Sequence, residues 1–330
     1  MNQINRQKQQ LFLEIQSSIN KHRQFLLTSH VKPDGDGLSS LLVFAKILDH
    51  YGKSYQIVVD DHMPGKFDYL PGIGTIQVFD SSQYDYNPDV VVCLDASDLD
   101  RLGTVRGVVN TENQIIINID HHPSNTSFGH INVVDDQLSG TIELVYHLLD
   151  FCNITVTVDI ATLVYSGIMC DTGRFLFPNT THESLALCSA MVEAGASPDR
   201  IAEYVYYRKT PETIYAMASA LSNMEMHFDG VVSCIYLCNG HYKPKEKIDT
   251  EGFIDYLLMI DGTEVSFFIL ETEPENFRVS LRSKSYIDVN MVAREFGGGG
   301  HKLAAGCTMT GSVEDIKEKI LSVLEKQLRL

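Results

Sequence analysis

Four short polar segments of this sequence combine aspartate and histidine in ways that suit metal-assisted hydrolysis. They contain His30, Asp34 and Asp36; Asp95; Asp120-His121-His122; and Asp171. Several carboxylates placed close together cannot all stay ionised unless cations hold them, because like charges raise each other's pKa. A mixed set of carboxylates and imidazoles suits a divalent ion such as Mn²⁺, and the surplus of ligands suits two ions.

Each segment also has an ordinary structural interpretation when it is taken alone. An Asp-Gly pair such as Asp34-Gly35 usually marks a turn, and an aspartate after a strand, such as Asp95, most often caps a helix. Asp171 is compatible with a plain helix end. Adjacent histidines after a strand have no routine packing role, so Asp120-His121-His122 is the most specific of the four. Their combination and order favour a functional site.

The elements around these segments predict where the side chains lie. Nearly continuous apolar runs, typical of strands buried on both faces of a parallel sheet, occupy residues 25–29, 56–59, 90–94 and 115–119. A helical pattern covers residues 38–50, and the alternation predicts an α/β fold with a doubly wound parallel sheet. Ligands bind at the carboxyl ends of such strands, and three of the polar segments follow three different strands. We therefore expect them to meet in one crevice.

The remaining pattern predicts a second, smaller domain. Residues 142–195 are helical, and Asp171 ends the helix that carries the apolar stripe of residues 160–168. Ser197-Pro198 and Thr210-Pro211 each resemble a helix start, with a capping residue before a proline. Strands return at residues 231–236, 265–270 and 277–281, and an amphipathic helix begins near residue 313. The predicted domains are residues 1–195, a helical linker at 196–225, and an α/β domain at 226–330.

Composition limits the function classes. The chain has 330 residues and a formal net charge of −17, which excludes a general electrostatic grip on long duplex nucleic acid or an anionic membrane. It leaves room for a small phosphorylated substrate held by local cations. No apolar run approaches the roughly 20 residues of a membrane span, and residues 1–24 lack a secretory signal. The seven cysteines form no Cys-x-x-Cys pair, which favours reduced thiols in a cytoplasmic protein.

The four segments together resemble the motifs of the DHH phosphoesterase superfamily. The matching order is His-x-x-x-Asp-x-Asp, a strand-end Asp, Asp-His-His, and Asp-Thr-Gly. Residues 297–306, Gly-Gly-Gly-Gly-His-Lys-Leu-Ala-Ala-Gly, resemble the signature of the associated DHHA1 domain. The length and the two domains are similar to the bifunctional oligoribonuclease and pAp-phosphatase subfamily, which is nanoRNase A-like.

This resemblance implies a role for each matching residue. One Mn²⁺ would be held by His30, Asp34 and Asp95, and the second by Asp36, Asp95, His121 and Asp171, with Asp95 bridging. Mg²⁺ or Co²⁺ could replace Mn²⁺. His122 would face the scissile phosphate, and Asp120 would orient the histidine pair. The sequence departs from the family at residues 37–40, where Gly-Leu-Ser-Ser replaces the commoner helix opening, and in a glycine run of four where three are usual.

The predicted second domain offers residues for gripping a substrate. Glycine allows close backbone approach, so Gly298, Gly299 and Gly300 could direct N–H groups at a phosphate, with His301 as a side-chain donor. A Walker loop is excluded because Leu303 follows Lys302. Taken alone the glycines could be a flexible turn. Arg282 follows a predicted strand, where family members often place a phosphate-binding arginine; alone it could be a solvated charge.

The favoured function is a Mn²⁺-dependent phosphodiesterase, an exonuclease that degrades very short oligonucleotides to mononucleotides and also dephosphorylates pAp. Alternatives are a phosphodiesterase for linear dinucleotides such as pApA, a pyrophosphatase or exopolyphosphatase, and, outside the enzymes, an inactive nucleotide-binding module. Complete ligands in all four motifs count against the last. The sequence leaves open RNA against DNA, the direction of digestion, the metal used and a homodimeric assembly.

Overall fold

The structure is a computed structural model that describes residues 6–238, 248–250 and 252–328. The chain divides into two compact units, Met1–Arg208 and Lys209–Leu330. The division falls inside the segment predicted as a helical linker, residues 196–225. Its first helix belongs to the first unit and its second helix to the second unit.

The first unit is built on a six-stranded parallel sheet. Its strands are β1 (Gln24–Thr28), β2 (Ser54–Val59), β3 (Ile76–Val78), β4 (Val90–Leu94), β5 (Ile115–Asp120) and β6 (Ile131–Val134). Its α-helices are α1 (Arg6–Lys21), α2 (Gly35–His50), α3 (Thr141–Phe151), α4 (Val158–Asp171), α5 (His182–Glu193) and α6 (Pro198–Tyr206). The strand order is β3-β2-β1-β4-β5-β6, and every pairing is parallel. The predicted doubly wound sheet is confirmed.

Burial on both faces explains the continuous apolar runs. In β4 all five residues are buried. Val90, Val92 and Leu94 pack into the main core, whereas Val91 and Cys93 point to the opposite face and pack in a separate cluster. A strand between two apolar layers needs apolar side chains at every position and not at alternate ones.

The strand order places the polar segments at one point of the sheet. Chain direction across the sheet reverses between β1 and β4, which is where open α/β sheets bind ligands. The segment with His30 follows β1, Asp95 follows β4, and Asp120 is the last residue of β5. Helix α1 and the short edge strands β3 and β6 were not predicted. The buried face of α1 is only Phe12, Ile15, Ser18 and Ile19.

The second unit contains a mixed six-stranded sheet. Its strands are β7 (Glu225–His227), β8 (Val232–Leu237), β9 (Val265–Glu273), β10 (Asn276–Ser283), β11 (Gly299–His301) and β12 (Ala304–Thr310); its helices are α7 (Pro211–Ser222), α8 (Asp255–Leu258), α9 (Val289–Glu295) and α10 (Val313–Leu328). The order is β11-β12-β10-β9-β8-β7, and only β8 and β9 pair in parallel. Ile316 and Ile320 of α10 are fully buried in the core on one face of this sheet. None of the helices described is both long and apolar enough to cross a membrane.

Candidate metal centre

Three overlapping groups of metal-ligating side chains lie at the switch point of the first sheet. They are His30, Asp34 and Asp95; Asp95, His121 and His122; and Asp36, His121 and Asp171. Within each group the donor atoms lie within 4.8 Å of one another, about twice a typical metal–ligand distance of about 2.1–2.4 Å. An ion between them can therefore reach all three donors. The structure brings together every residue that the sequence predicted as a metal ligand.

The loop after β1 supplies the first donors. The Nδ1 of His30 lies 2.7 Å from the carbonyl of Val31, which leaves Nε2 to face Asp95 Oδ2 at 3.4 Å and Asp34 Oδ2 at 3.8 Å. Asp34 Oδ1 accepts the backbone N–H groups of Asp36 and Gly37 and caps α2. Asp34 is thus both a helix cap, through one oxygen, and a candidate ligand, through the other.

Asp36 is held by the N-terminus of another helix. Its carboxylate is fully buried and accepts the backbone N–H groups of Thr141 at 2.6 Å and Ile142 at 2.8 Å. These amides open α3, where unpaired N–H groups favour a negative charge. The hydroxyl of Thr141 also donates to Asp95 Oδ1 at 3.0 Å. Thr141, which the sequence did not single out, therefore fixes two of the predicted ligands.

Asp95 lies at the centre of the arrangement. It follows β4 with a positive φ of 59°, a strained conformation for a residue other than glycine, and its N–H donates to the carbonyl of Ile119. One carboxylate oxygen faces His30, while the other lies 3.8 Å from His121 Nε2 and 3.6 Å from His122 Nδ1. Asp95 belongs to two of the three groups, as a bridging ligand must.

The end of β5 orients the histidine pair. Asp120 Oδ1 lies 2.7 Å from His122 Nδ1, and Asn125 Nδ2 donates to Asp120 Oδ2 at 2.6 Å. The same amide group donates to Asn118 Oδ1, and Asn118 in turn donates to the carbonyl of Ala96. Asn125 therefore holds Asp120 directly, and Asn118 supports Asn125. Neither asparagine was predicted, because Asn125 follows Pro-Ser, where asparagine is an ordinary turn residue, and Asn118 lies inside the apolar run of residues 115–119.

Asp171 completes the set from the C-terminus of α4. Its Oδ2 lies 3.6 Å from His121 Nε2 and accepts a hydrogen bond from Asn179 Nδ2 at 3.1 Å. That amide also donates to the backbone carbonyls of Ser139 and Asp171. Close packing brings α4 to α2, since a Cβ on Gly35 would collide with Cys170 Sγ. The helix packing thus sets the distance between Asp171 and the first loop.

The electrostatics of this cluster fit divalent cations. Burial and the charges of Asp95 and Asp171 raise the pKa of Asp36 well above its ordinary value. Burial and the charges of Asp34 and Asp95 do the same to the pKa of Asp171. In the part of the chain that the structure describes, Asp34, Asp95 and Asp171 form ion pairs with histidines and none with Lys or Arg. Bound cations would remove this repulsion.

The histidines show the complementary effect. Burial opposes the charged form of His30, but hydrogen bonds and charges from Asp34 and Asp95 raise its pKa well above the ordinary value. Burial likewise opposes the charged form of His122, yet the hydrogen bond to Asp120 and the charge of Asp95 raise its pKa to about 9. Both shifts favour the charged form of the imidazole.

In the second unit, two predicted substrate-binding residues lie at the same register position of the sheet, on either side of β12. Arg282 of β10 and His301 of β11 both pair with Ala304 of β12. The glycine run is not an open loop, since Gly299 and Gly300 belong to the edge strand β11. A Cβ on Gly300 would lie 2.5 Å from the carbonyl oxygen of Ala304, and one on Gly298 would overlap that of Gly306. The close approach of β11 to β12 therefore requires glycine at these positions.

A fourth group in the second unit, Glu225, His227 and Cys234, has donor atoms equally close together. Here the ammonium of Lys317 lies 2.8 and 2.9 Å from the two oxygens of Glu225. The negative charge of this group is already paired.

The fold and the cluster define a class of protein. It is a doubly wound α/β protein whose sheet carries, at its switch point, carboxylates and imidazoles placed to bind divalent metals. Residues 24–168 match the family model described as "DHH family, N-terminal domain", and residues 235–329 match that of the "DHHA1 domain".

Similar proteins support the match. The bifunctional oligoribonuclease and PAP phosphatase NrnA of Thermus thermophilus is 31% identical over 314 residues, which cover 92% of this chain and 89% of that protein. An exopolyphosphatase-related protein from Bacteroides fragilis has a crystal structure that superposes with a TM-score of 0.88 at 28% identity, covering 96% of both chains. RecJ of Thermus thermophilus in complex with Mn²⁺ shares the fold at a TM-score of 0.57 and 11% identity, over 99% of this chain and 56% of that one. The chain belongs to the DHH family, and it is a hydrolase that acts on phosphoester bonds.

Proposed function

We propose that this chain is a Mn²⁺-dependent phosphodiesterase that degrades very short oligonucleotides to mononucleotides and also dephosphorylates pAp. The observation that carries the proposal is the cluster at the switch point, in which Asp95 and His121 are shared between adjacent ligand groups. The relative from Thermus thermophilus, whose name states both activities, aligns over nearly the whole chain.

We assign two ion positions to this cluster. His30, Asp34 and Asp95 would hold one ion, and Asp36, Asp95, His121 and Asp171 the other. Divalent ions bound there would lower the pKa of a water molecule and offset the charge of the phosphoryl transition state. Four carboxylates balance two divalent ions, so a phosphate can enter the site despite the acidic protein.

His122 would act directly on the substrate. Its Nδ1 lies 2.7 Å from Asp120 Oδ1, and this hydrogen bond outweighs the effect of burial and raises the pKa of the imidazole to about 9. Nε2–H would donate to a phosphate oxygen and add positive charge beside it. Asn125 holds Asp120 and thereby the orientation of the ring.

We assign binding of the terminal phosphate to Arg282 and His301, which occupy one row of the second sheet, together with backbone groups of Gly298, Gly299 and Gly300. Arginine suits this role because its guanidinium can form paired hydrogen bonds with a phosphate. The net charge of −17 disfavours long polyanions and supports short substrates. The seven cysteines are free of disulfides among the residues that the structure describes, which supports a cytoplasmic location.

One substrate panel tests this function. The protein with Mn²⁺ is incubated with 5′-labelled RNAs of two to about twenty nucleotides, pAp, pApA and pyrophosphate, and kcat/KM is compared. We expect the highest values for the shortest RNAs, measurable release of phosphate from pAp, and little turnover of pyrophosphate. A preference for pyrophosphate would instead favour an inorganic substrate. Equal efficiency at every RNA length would contradict the short-substrate proposal.

A further inference from the structure

The loop between Asp171 and Asn179 carries an exposed apolar pair that the metal centre does not use. Leu176 is 72% exposed and Phe177 is 52% exposed. Both ends of this loop are tied to the cluster, because Asn179 Nδ2 donates to the side chain and the backbone carbonyl of Asp171. The pair therefore lies on a short loop whose two ends meet at a candidate metal ligand.

The loop is held in an unusual backbone conformation. Arg174 and Phe175 both have φ values of 65°, in the left-handed region that side chains other than glycine disfavour. Strain of this kind persists only where surrounding contacts impose it, and it concentrates at functional sites. Here the contacts are known. The carbonyl of Thr172 accepts the N–H groups of Leu176 and Phe177, and its hydroxyl accepts that of Phe175.

The strained turn directs its side chains to different neighbours. Phe175 turns inward and packs edge-on against Tyr165, with ring centroids 6.2 Å apart. The Arg174 guanidinium lies over the ring of Tyr206 at 4.5 Å. Phe177 folds back onto Gly173, where a Cβ would lie 2.5 Å from its ring atoms. Its ring is thus fixed in place while one side remains open to solvent.

The position of the ring suits one part of the substrate. Gly173 is two residues from Asp171, so their backbones can be at most about 7 Å apart. A nucleotide whose phosphate binds at the metal centre places its base a few ångströms away. Two side chains are too small for a protein partner, which would need about 800 Å² on each side, but they match the face of one base.

We propose that Phe177, flanked by Leu176, is the stacking surface for the nucleobase next to the scissile phosphate. This inference deepens the proposed function and rests on it. Stacking on an aromatic ring accepts every base, because each base has a π-face, so the surface would bind short oligonucleotides without a strong sequence preference. Phe177 then sets affinity for nucleotides over base-free phosphates and takes no part in bond cleavage.

The chain contains no tryptophan, which permits a direct test. Phe177→Trp would introduce a single tryptophan, which can be excited selectively over the tyrosines. The probes are AMP, which carries a base but no scissile diester, and ribose 5-phosphate, which has no base. We expect AMP to quench the tryptophan fluorescence saturably and ribose 5-phosphate to leave it unchanged. Tyr215→Trp, at a position 69% exposed in the second unit, is the matched control and should respond to neither probe.

A kinetic test covers the case in which the tryptophan variant does not fold. Phe177→Ala should raise KM for pApA and the inhibition constant of AMP about tenfold, with kcat within about twofold of wild type. The inhibition constant of ribose 5-phosphate should not change, and Phe177→Tyr should restore wild-type values. Equal effects on AMP and ribose 5-phosphate, or an unchanged AMP constant, would overturn the proposal. Because AMP binding needs no turnover, a protein that fails to cleave RNA but shows the quench would contradict the proposed function alone.

Discussion

Both units of this protein bury carboxylates, but they satisfy them in different ways. In the second unit Glu264, 8% exposed, accepts hydrogen bonds from the Ser283 hydroxyl, the Ser285 hydroxyl and N–H, and the Tyr286 N–H at 2.8–3.0 Å. Burial would raise its pKa, but these donors lower it. In the first unit Asp36 and Asp171 face other carboxylates, and their pKa values rise.

The Glu225 group sharpens the contrast. Its donor atoms are as close together as those of the first unit, yet Lys317 supplies the counter-charge. Burial or proximity of acidic groups therefore does not identify a metal centre. Carboxylates that face each other and imidazole nitrogens, with no Lys or Arg paired to them among the residues described, are the pattern that makes a group a candidate metal centre.

The largest effect should come from Asp95→Asn. This change keeps the shape of the side chain but removes the charge shared by two ligand groups. We expect kcat/KM for pApA to fall at least about 1,000-fold, because the loss affects both ion positions. Glu264→Gln removes a buried carboxylate charge in the second unit and should leave activity within about threefold. Comparable losses of kcat/KM in the two variants would show that the buried carboxylates of the two units do not differ in function.

Removal of metal should act on the first unit alone. Chelation is expected to abolish activity and to lower Tm, and Mn²⁺ should restore both. Binding at 100 times Kd stabilises the folded state by about 2.7 kcal/mol. The Tm gain on adding Mn²⁺ should persist in Glu225→Ala and shrink in Asp95→Asn. A Tm gain that instead depends on Glu225 would show that the ion binds in the second unit, which would contradict the account.

Asn125→Ala tests the support behind the histidine pair. Loss of its hydrogen bond to Asp120 should lower kcat about 10- to 100-fold, as for other changes behind metal ligands. KM should change little, because the Asn125 amide hydrogen-bonds Ala96, Asn118 and Asp120 and is not among the proposed substrate-binding groups. Asn113→Ala, an exposed site, is the control. Wild-type kcat in Asn125→Ala would show that Asp120 orients His122 without Asn125.

Glu264→Gln should act on stability. Replacing an acceptor of four hydrogen bonds leaves some donors unsatisfied, which costs about 1–3 kcal/mol in the free energy of unfolding. Because the pKa of Glu264 is lowered on folding, its contribution is fully present above about pH 4.3 and is lost progressively as the pH falls through the lowered pKa. Urea unfolding should therefore show a smaller wild-type advantage at pH 3.5 than at pH 7.

Lys317→Met should have the smallest effect. The pair with Glu225 is partly exposed, so we expect a loss of about 1 kcal/mol or less and no change in activity. A measurable increase in Mn²⁺ stoichiometry in this variant would show that the Lys317 ammonium prevents an ion from binding to Glu225, His227 and Cys234.

The predicted elements were those with a strong local pattern. Buried parallel strands such as β4 show continuous apolar runs, and Thr210-Pro211 marks the start of α7. Helix α1 and the short edge strands escaped because they bury few residues each. Asp34 was interpreted either as a turn residue or as a ligand. The structure shows a helix cap through Oδ1, while Oδ2 lies 3.8 Å from His30 Nε2 and is the candidate ligand.

The supporting residues could not be predicted. Thr141 meets Asp95 across 46 positions of sequence and Asp36 across 105, so only the packed fold reveals the contacts. Asn179 returns to Asp171 through a loop whose backbone has no local signature. The glycines of residues 298–300 were interpreted as ligand-binding, whereas their strand also needs them for packing.

Anomalous diffraction at the manganese edge, from crystals soaked in Mn²⁺, tests the central claim most directly. The account predicts two peaks in contact with Asp95 and none beside Glu225, His227 and Cys234. Peaks beside Glu225, His227 and Cys234, or no peak in contact with Asp95, would contradict it.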